Sequence, residues 1–290
     1  MSRADYDSLT PLERQTALVE YAVLDDDGEK ILEKQGKTFA AGKRPSEGAV
    51  VHGDLKITEE DLASYKDGRL KGKKHGKMDL KFQTEEKSEN YLVLKGLSSR
   101  LKARKKHMFS VQCGKAGQEI PMCAVSNEKE MNREFIAVNL GVVQMGTCSL
   151  RFHKSHTYKL KEMEIQGISE TFIKEQTQKR REESMIDVKQ STNRITGRIS
   201  VSEDKILQLV VPYSEGWHIY IDGKKAKNFT SSVAYTGVLI EKGEHTVEMH
   251  YISPWIIPGI VLSVMAWIWM ILSFIIKDAY SKTVKAKIKK

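Results

Sequence analysis

The stretch WHIYIDGKKAK, residues 217–227, decides the fold. Side chains alternate along a strand, so Trp217, Ile219 and Ile221 fall on one face, which is what a hydrophobic core requires. The Asp222-Gly223 dipeptide that follows is a tight-hairpin signal. Upstream, RITGRISV and KILQLVV flank a Ser202-Glu203-Asp204 turn; downstream, YTGVLI and HTVEMHYI flank Glu241-Lys242-Gly243-Glu244. Residues 185–250 therefore read as a compact antiparallel β module.

The same period governs an earlier region. From Met78, the pieces MDLKF, NYLVLKGL, HMFSVQC, REFIAVNLG, TCSLRFH and TYKLKEMEIQGI are separated by polar or glycine breaks. Residues 78–168 read as a first β-sandwich-like module. Between the two modules, residues 169–184 (SETFIKEQTQKRREES, ending at Ser184) fit a linker helix. At the N-terminus, Thr10-Pro11-Leu12-Glu13 is a capping box with proline at the first helical position, so a short helix starts there. The Asp/Gly cluster in YAVLDDDGEKI reads as turn chemistry. From Gly28 to Gly76 apolar clusters are sparse, and the pattern assigns no fold; residues 1–77 are grouped as a helix followed by an unassigned charged segment.

After the second module the pattern changes again. Residues 251–276, YISPWIIPGIVLSVMAWIWMILSFII, contain no Asp, Glu, Lys, Arg or His. As a helix the stretch would be about 39 Å long, against a hydrocarbon core of about 30 Å. Pro254 and Pro258 fall in its first turns, where a missing N–H costs little. Trp255, Trp267, Trp269 and Lys277 are candidate membrane anchors. The expected fold class is thus mainly β with minor α: an antiparallel β-sandwich-like region in two modules, then a single C-terminal transmembrane helix.

Residues 277–290 carry six lysines against Asp278, a charge of +5, and the positive-inside rule makes this tail cytoplasmic. Residues before Tyr251 would then be extracytoplasmic. The opening MSRADYDSLTPLERQ, however, has no apolar core for a signal peptide. Two arrangements meet this conflict. The chain is the C-terminal part of a polytopic membrane protein, or a cytoplasmic domain with a tail anchor; the second would drive a lysine-rich tail across the bilayer.

The chain has 290 residues and a net charge of +9; subtracting the tail's +5 leaves +4, which gives a nucleic-acid role little support. Two basic runs, RLKGKKHGK (69–77) and RLKARKKH (100–107), are solvated loops or faces toward anionic lipid or a phosphate-rich wall polymer. They lack the interleaved aromatics of a single-strand nucleic-acid platform. Cys113, Cys123 and Cys148 have no metal-ligand spacing; a bridge between Cys113 and Cys123 and free buried thiols are both open. His153 and His156, three apart in a strand region, point to opposite faces and make a poor metal pair; no metal site is expected.

The chain shows no Gly-rich phosphate loop, no GxSxG elbow and no HExxH helix. The richest constellation is VPYSEGWHIYIDGKK, where Tyr213, Trp217 and Tyr220 stand near Asp222 as candidate sugar or polymer contacts. Core packing is the competing role for Trp217.

The succession VVPYSEGWHIYIDGKKAK, AYTGVLIEKGEHTVEMHYISP, apolar helix and lysine tail resembles the end of bacterial YfhO-family membrane proteins. REFIAVNLG, NRITGRI and SLTPLERQTALVEYAVL resemble family segments further upstream. The resemblance implies a polytopic bacterial membrane protein with a glycosyltransferase-like body of membrane helices. Such a body would use a polyprenyl-phosphate sugar donor to decorate a surface polymer such as teichoic acid. The catalytic carboxylates it implies belong to that body and map to no position here. The partners implied are the lipid bilayer, an upstream membrane-helical region or separate subunit, and an anionic surface polymer, with no cofactor in this chain itself. The alternative is a membrane-anchored carbohydrate- or wall-polymer-binding module without enzymatic activity.

Overall fold

The computed structural model describes residues 1–37, 42–100, 109–113, 118–122 and 130–288. Cys123 and residues 101–107 of the second basic run lie outside the described residues. In chain order the elements are α1 (Arg3–Ser8), α2 (Pro11–Glu20), α3 (Asp26–Lys34), β1 (Val50–Lys66), β2 (Arg69–Arg100), β3 (Phe109–Cys113) and β4 (Gln118–Met122). Then come β5 (Glu130–Phe152), β6 (His156–Lys159), β7 (Glu162–Ser169), α4 (Glu170–Glu182), β8 (Ile186–Gln190), β9 (Arg194–Val201) and β10 (Lys205–Pro212). The chain closes with β11 (Trp217–Ile221), β12 (Lys224–Ala226), β13 (Asn228–Ser231), β14 (Tyr235–Ile240), β15 (Gly243–Tyr251) and α5 (Ile256–Ile288). They form two compact units, Met1–Val23 with Phe39–Glu182, and Leu24–Thr38 with Glu183–Lys290. The mainly antiparallel β class with one C-terminal apolar helix is the architecture the patterning predicts.

In the first unit the capping box at Thr10 forms in both directions, Thr10 N donating to Glu13 Oε2 at 2.8 Å and Glu13 N to Thr10 Oγ1 at 3.4 Å. The helix it starts buries Leu12, Thr16 and Ala17. Leu12 joins Ala49, Ile168 and Phe172 in a small apolar cluster, which seats α2 and α4 near β7.

The segment left unassigned by patterning is largely strand. β1 and β2 form a long antiparallel hairpin, closed at Asp67 (φ 51°) and Gly68 (φ 69°). Two successive positive φ values make a type I′ turn, whose twist matches that of the strands it joins. β2 then pairs with β5 and β7, giving a sheet of seven strands ordered β1-β7-β2-β5-β3-β4 with β6 on β2. Its core face carries Leu70, Met78, Leu80, Phe82, Phe109, Phe152 and Tyr158, all at most 2% exposed. The rings of Phe109, Phe152 and Tyr158 meet at centroid distances of 5.3–6.4 Å, within the range of favourable aromatic pairs.

The second unit is a sandwich of a three-stranded sheet (β10-β14-β13) and a five-stranded one (β12-β11-β15-β9-β8). Leu209, Val238 and Ile240 from the first meet Ile199, Ile219, Val247 and Met249 from the second in one core. The Asp222-Gly223 hairpin forms, with φ 50° and 74°. The Asp/Gly cluster at residues 25–28 does not make a turn. Asp25 caps α3, its carboxylate accepting from Gly28 N at 2.8 Å, and Asp26 and Asp27 fill the first helical turn. Negative side chains there face the positive end of the helix dipole. Ile31 and Leu32 give α3 its buried face, and Gly28 lies against the Phe229 ring.

α5 departs from this pattern. From Ile256 to Lys277 none of it is buried. An uncharged helix exposed on every side is stable in lipid, where apolar surface has no water to avoid.

Candidate functional site

The five-stranded sheet of the second unit has one face in the core and one outside. On β11, Ile219 is buried and Trp217 and Ile221 pack beside it, so His218 and Tyr220 take the outer face. Register places Tyr220 between Lys225 on β12 and Glu248 on β15, and Glu248 opposite Thr196 on β9. One rung further, His218 faces His250, which faces Arg194. The outer face thus gathers Arg194, Thr196, His218, Tyr220, Glu248 and His250 from three strands.

Glu248 organises this patch. Its Oε2 lies 3.2 Å from His250 Nε2 and accepts from Arg194 Nη2 at 2.8 Å. These two partners, His250 foremost, hold its carboxyl below the usual range. The Tyr220 ring stands perpendicular to the His250 ring at 5.9 Å. An aromatic face beside a fixed carboxylate and a guanidinium provides stacking, acceptor and donor chemistry for a sugar hydroxyl or an anion.

The four residues singled out from the sequence do not share this face. Trp217 points to the core side and packs on Tyr251 at 5.0 Å. Tyr220 is on the outer face. Asp222 sits at the hairpin beyond one end of β11, its carboxylate taken up by His245 Nδ1 at 2.7 Å and by the Thr246 N–H at 2.8 Å. The pairing lowers the Asp222 pKa, with the His245 hydrogen bond as main cause, and raises that of His245. Tyr213 lies in the connection before the other end of β11, its N–H donating to Ala234 O at 2.8 Å. Partial burial, then the carboxylates of Glu215, Asp25 and Asp27, raise its hydroxyl pKa. Arg194, His218, Glu248 and His250 escaped the sequence reading because their shared face exists only once β9, β11 and β15 are paired.

β15 leads into α5 through residues 252–255 alone. Backbone bonds hold that junction to the sheet: Tyr251 N to Asn193 O at 2.8 Å and Ile252 N to Gly216 O at 2.9 Å. Trp255, 80% exposed, stands just before the helix, and Lys277 ends its apolar stretch. Trp267 and Trp269 are also exposed but lie near the middle of that stretch.

A β-rich chain whose last strand runs into an apolar, fully exposed helix defines a class of membrane-attached β proteins. The family model for bacterial membrane protein YfhO matches residues 1–263, and the chain belongs to that family. It is 24% identical over 129 residues to the uncharacterized protein YfhO of Bacillus subtilis (strain 168), a match covering 44% of this chain and 15% of the relative. Among solved structures, CpGH89CBM32-6 produced by Clostridium perfringens is similar at 11% identity and TM-score 0.23, over 39% of this chain and 92% of that one. Arabinofuranosyltransferase AftD from Mycobacteria is similar at 6% identity and TM-score 0.23, over 71% of this chain and 24% of that one. Likenesses at that level carry no weight for function.

Proposed function

We propose that this chain is the extracytoplasmic β region and last membrane helix of a YfhO-type polytopic membrane protein of the bacterial cell membrane, with its lysine tail cytoplasmic. In this reading the whole protein transfers a sugar from a polyprenyl-phosphate donor to a cell-surface polymer such as teichoic acid. The upstream membrane helices, or a separate subunit carrying them, supply the catalytic groups. The observation that carries the reading is the family match running from residue 1 through both β units into α5.

A general acid needs a carboxyl held above its usual range. The described carboxyls with resolved shifts, Asp79, Glu170, Glu183, Asp204, Asp222 and Glu248, are all lowered. Such groups are partners in ion pairs rather than proton donors.

The test is to express the chain alone and joined to the remainder of the Bacillus relative, and to follow labelled sugar from the lipid donor into polymer. Incorporation is expected only from the joined protein; full activity from the chain alone overturns the reading. Sidedness is checked with Lys73→Cys and a membrane-impermeant maleimide on intact cells. Labelling is expected, and protection until lysis overturns the extracytoplasmic assignment.

The outer face around Tyr220 favours a second reading, a membrane-anchored carbohydrate- or polymer-binding module. Its test is loss of purified-polymer binding on Tyr220→Ala with the melting temperature unchanged; undiminished binding counts against it.

A further inference from the structure

The sandwich of the second unit exposes apolar residues at one set of strand ends and not at the other. β10 ends at Pro212 and β11 begins at Trp217, β14 begins at Tyr235, and β15 ends at Tyr251, where the chain turns into α5. The connections at these ends are 213–216 (YSEG), 232–234 (SVA) and 252–255 (ISPW). Val210, Tyr213, Val233, Tyr235, Ile252 and Trp255 are all exposed there, Val210 at 77% and Val233 at 46%. The hairpins at the opposite strand ends read Ser202-Glu203-Asp204, Asp222-Gly223 and Glu241-Lys242, with no large apolar side chain. Among the described residues the sandwich exposes two further large apolar side chains, Ile186 and Val188, both on the edge strand β8.

Backbone bonds tie these connections to the entrance of α5. Tyr213 N donates to Ala234 O at 2.8 Å, and Ile252 N to Gly216 O at 2.9 Å. A Cβ at Gly216 would strike Ile252 O and the Tyr251 ring, so the connection lies directly against the junction. From Gly216 back to Tyr213 is three residue steps, at most about 11 Å of chain. The polar layer on each side of a bilayer is about 5 to 8 Å thick, and a turn held this close to the mouth of a membrane helix comes within reach of it. The turn itself keeps a residue that its backbone disfavours. Ser232 and Val233 have φ of 46° and 77°, a region that β-branched residues rarely enter and that asparagine or glycine tolerates. The Ser231 and Ser232 hydroxyls pin the turn by donating to Gln208 Oε1 at 3.0 and 2.5 Å. Strain held at a solvent-facing tip points to use, and what valine supplies there that asparagine does not is apolar surface.

We propose that Val210, Tyr213, Val233 and Tyr235 seat the second unit in the headgroup layer of the bilayer that α5 enters, as a membrane contact separate from the helix. The patch continues the apolar surface of α5 through Ile252 and Trp255. Its two tyrosines carry an apolar ring with a polar tip, the combination that favours the interface. Segments 213–216, 232–235 and 252–255 contain Glu215 and no Lys or Arg, and Asp25 and Asp27 add negative charge near Tyr213. Attraction to anionic headgroups therefore plays no part, and zwitterionic lipid suffices. A sandwich joined to a helix by four residues is free to swing; a second contact fixes which strand ends face the membrane. The seat rests on α5 lying in the bilayer and on nothing in the sugar-transfer reading.

The test uses the full chain in nanodiscs of phosphatidylcholine that carries a diazirine near the top of the acyl chain, with lipid adducts mapped by peptide mass spectrometry after illumination. Adducts are expected in peptides covering 210–216 and 232–235 as well as in α5, and not at the hairpins 202–204, 222–223 and 241–242. In Val210→Thr/Val233→Asn the adducts at the two seat peptides are expected to fall about fivefold, the order set by withdrawing two part-immersed valines from lipid, while labelling of α5 is unchanged. Because asparagine accepts the turn's backbone, the melting temperature of this variant is expected to be no lower than that of the parent. Labelled α5 with unlabelled seat peptides overturns the seat and leaves the membrane helix standing; no adduct anywhere, α5 included, overturns both. Equal labelling of the opposite hairpins, unchanged labelling in the variant, or seat adducts that require added anionic lipid also overturn the proposal.

Discussion

Cys113 at the end of β3 and Cys148 on β5 are register partners, and both side chains belong to the core face of the seven-stranded sheet. Antiparallel partners have Cα atoms about 4.5 to 5.5 Å apart, inside the range of about 4.4 to 6.8 Å that a disulfide spans. The first prediction is that oxidised glutathione converts this pair into a disulfide, releasing two molecules of glutathione. Attack requires a thiolate. Burial pushes the Cys113 thiol up and the Cys148 thiol up to about 12. The reaction is therefore slow at neutral pH and faster in mild alkali, and it starts at the less buried Cys113. Peptide mapping should recover 113 linked to 148, with a gain in stability of up to about 4 kcal/mol. A link from Cys113 to Cys123 instead would sink this pairing.

The two aromatics of β11 should respond in opposite ways. Trp217 faces the core and packs on Tyr251, so Trp217→Ala should cost about 2–4 kcal/mol. Tyr220 lies on the outer face with its edge contact to His250, and Tyr220→Ala should cost under about 1 kcal/mol. Denaturant titration of both variants in one detergent decides the matter; equal losses would mean that the faces are wrongly assigned.

Glu183 supplies a pH signature within the second unit. It accepts hydrogen bonds from Lys205 and Ser202, with Lys205 the main cause of a carboxyl pKa lowered from 4.5 to about 2. A carboxyl whose folded pKa lies below its unfolded one stabilises the fold above the unfolded value, and that stability fades as pH falls toward the folded value. The window therefore runs from about 4.5 down to about 2. Glu183→Gln should lose about 1 kcal/mol at neutral pH, a figure reduced for solvent screening, and the gap from the parent should close across that window. A gap independent of pH would contradict the assignment.

Asp222-Gly223 was legible as a hairpin because alternating apolar residues precede it, whereas Asp67-Gly68, the same dipeptide in the same turn type, was not. Its strands hide their period. In β2 the inward positions near the turn are Leu70 and Gly72, and the residues that alternate with them are Arg69, Lys71 and Lys73. A glycine serves as an inward residue there because an aromatic ring occupies the space a side chain would need. The Asp25–Gly28 cluster misled for a related reason: the same residues that favour turns also cap helices, and packing of Ile31 and Leu32 selects the helix. The capping box at Thr10 and the apolar helix carry purely local signals, so both were readable. The outer-face patch combines three strands, and pairing of that kind is absent from any local pattern.

The ring over Gly72 can be tested directly. A Cβ built at Gly72 would collide with Phe152 Cγ and Cδ1. Phe152 is fully buried among Phe109 and Tyr158, so its ring has no free space to move into. Gly72→Ala should therefore cost about 1–3 kcal/mol from overpacking. Phe152→Leu alone should also destabilise, by leaving a cavity. Residues in contact do not add: the double variant Gly72→Ala/Phe152→Leu should be more stable than the sum of the single losses implies, because the new methyl enters space the ring has vacated. Chemical denaturation of all four proteins gives the coupling, and strict additivity would show that Gly72 is held by something other than the Phe152 ring.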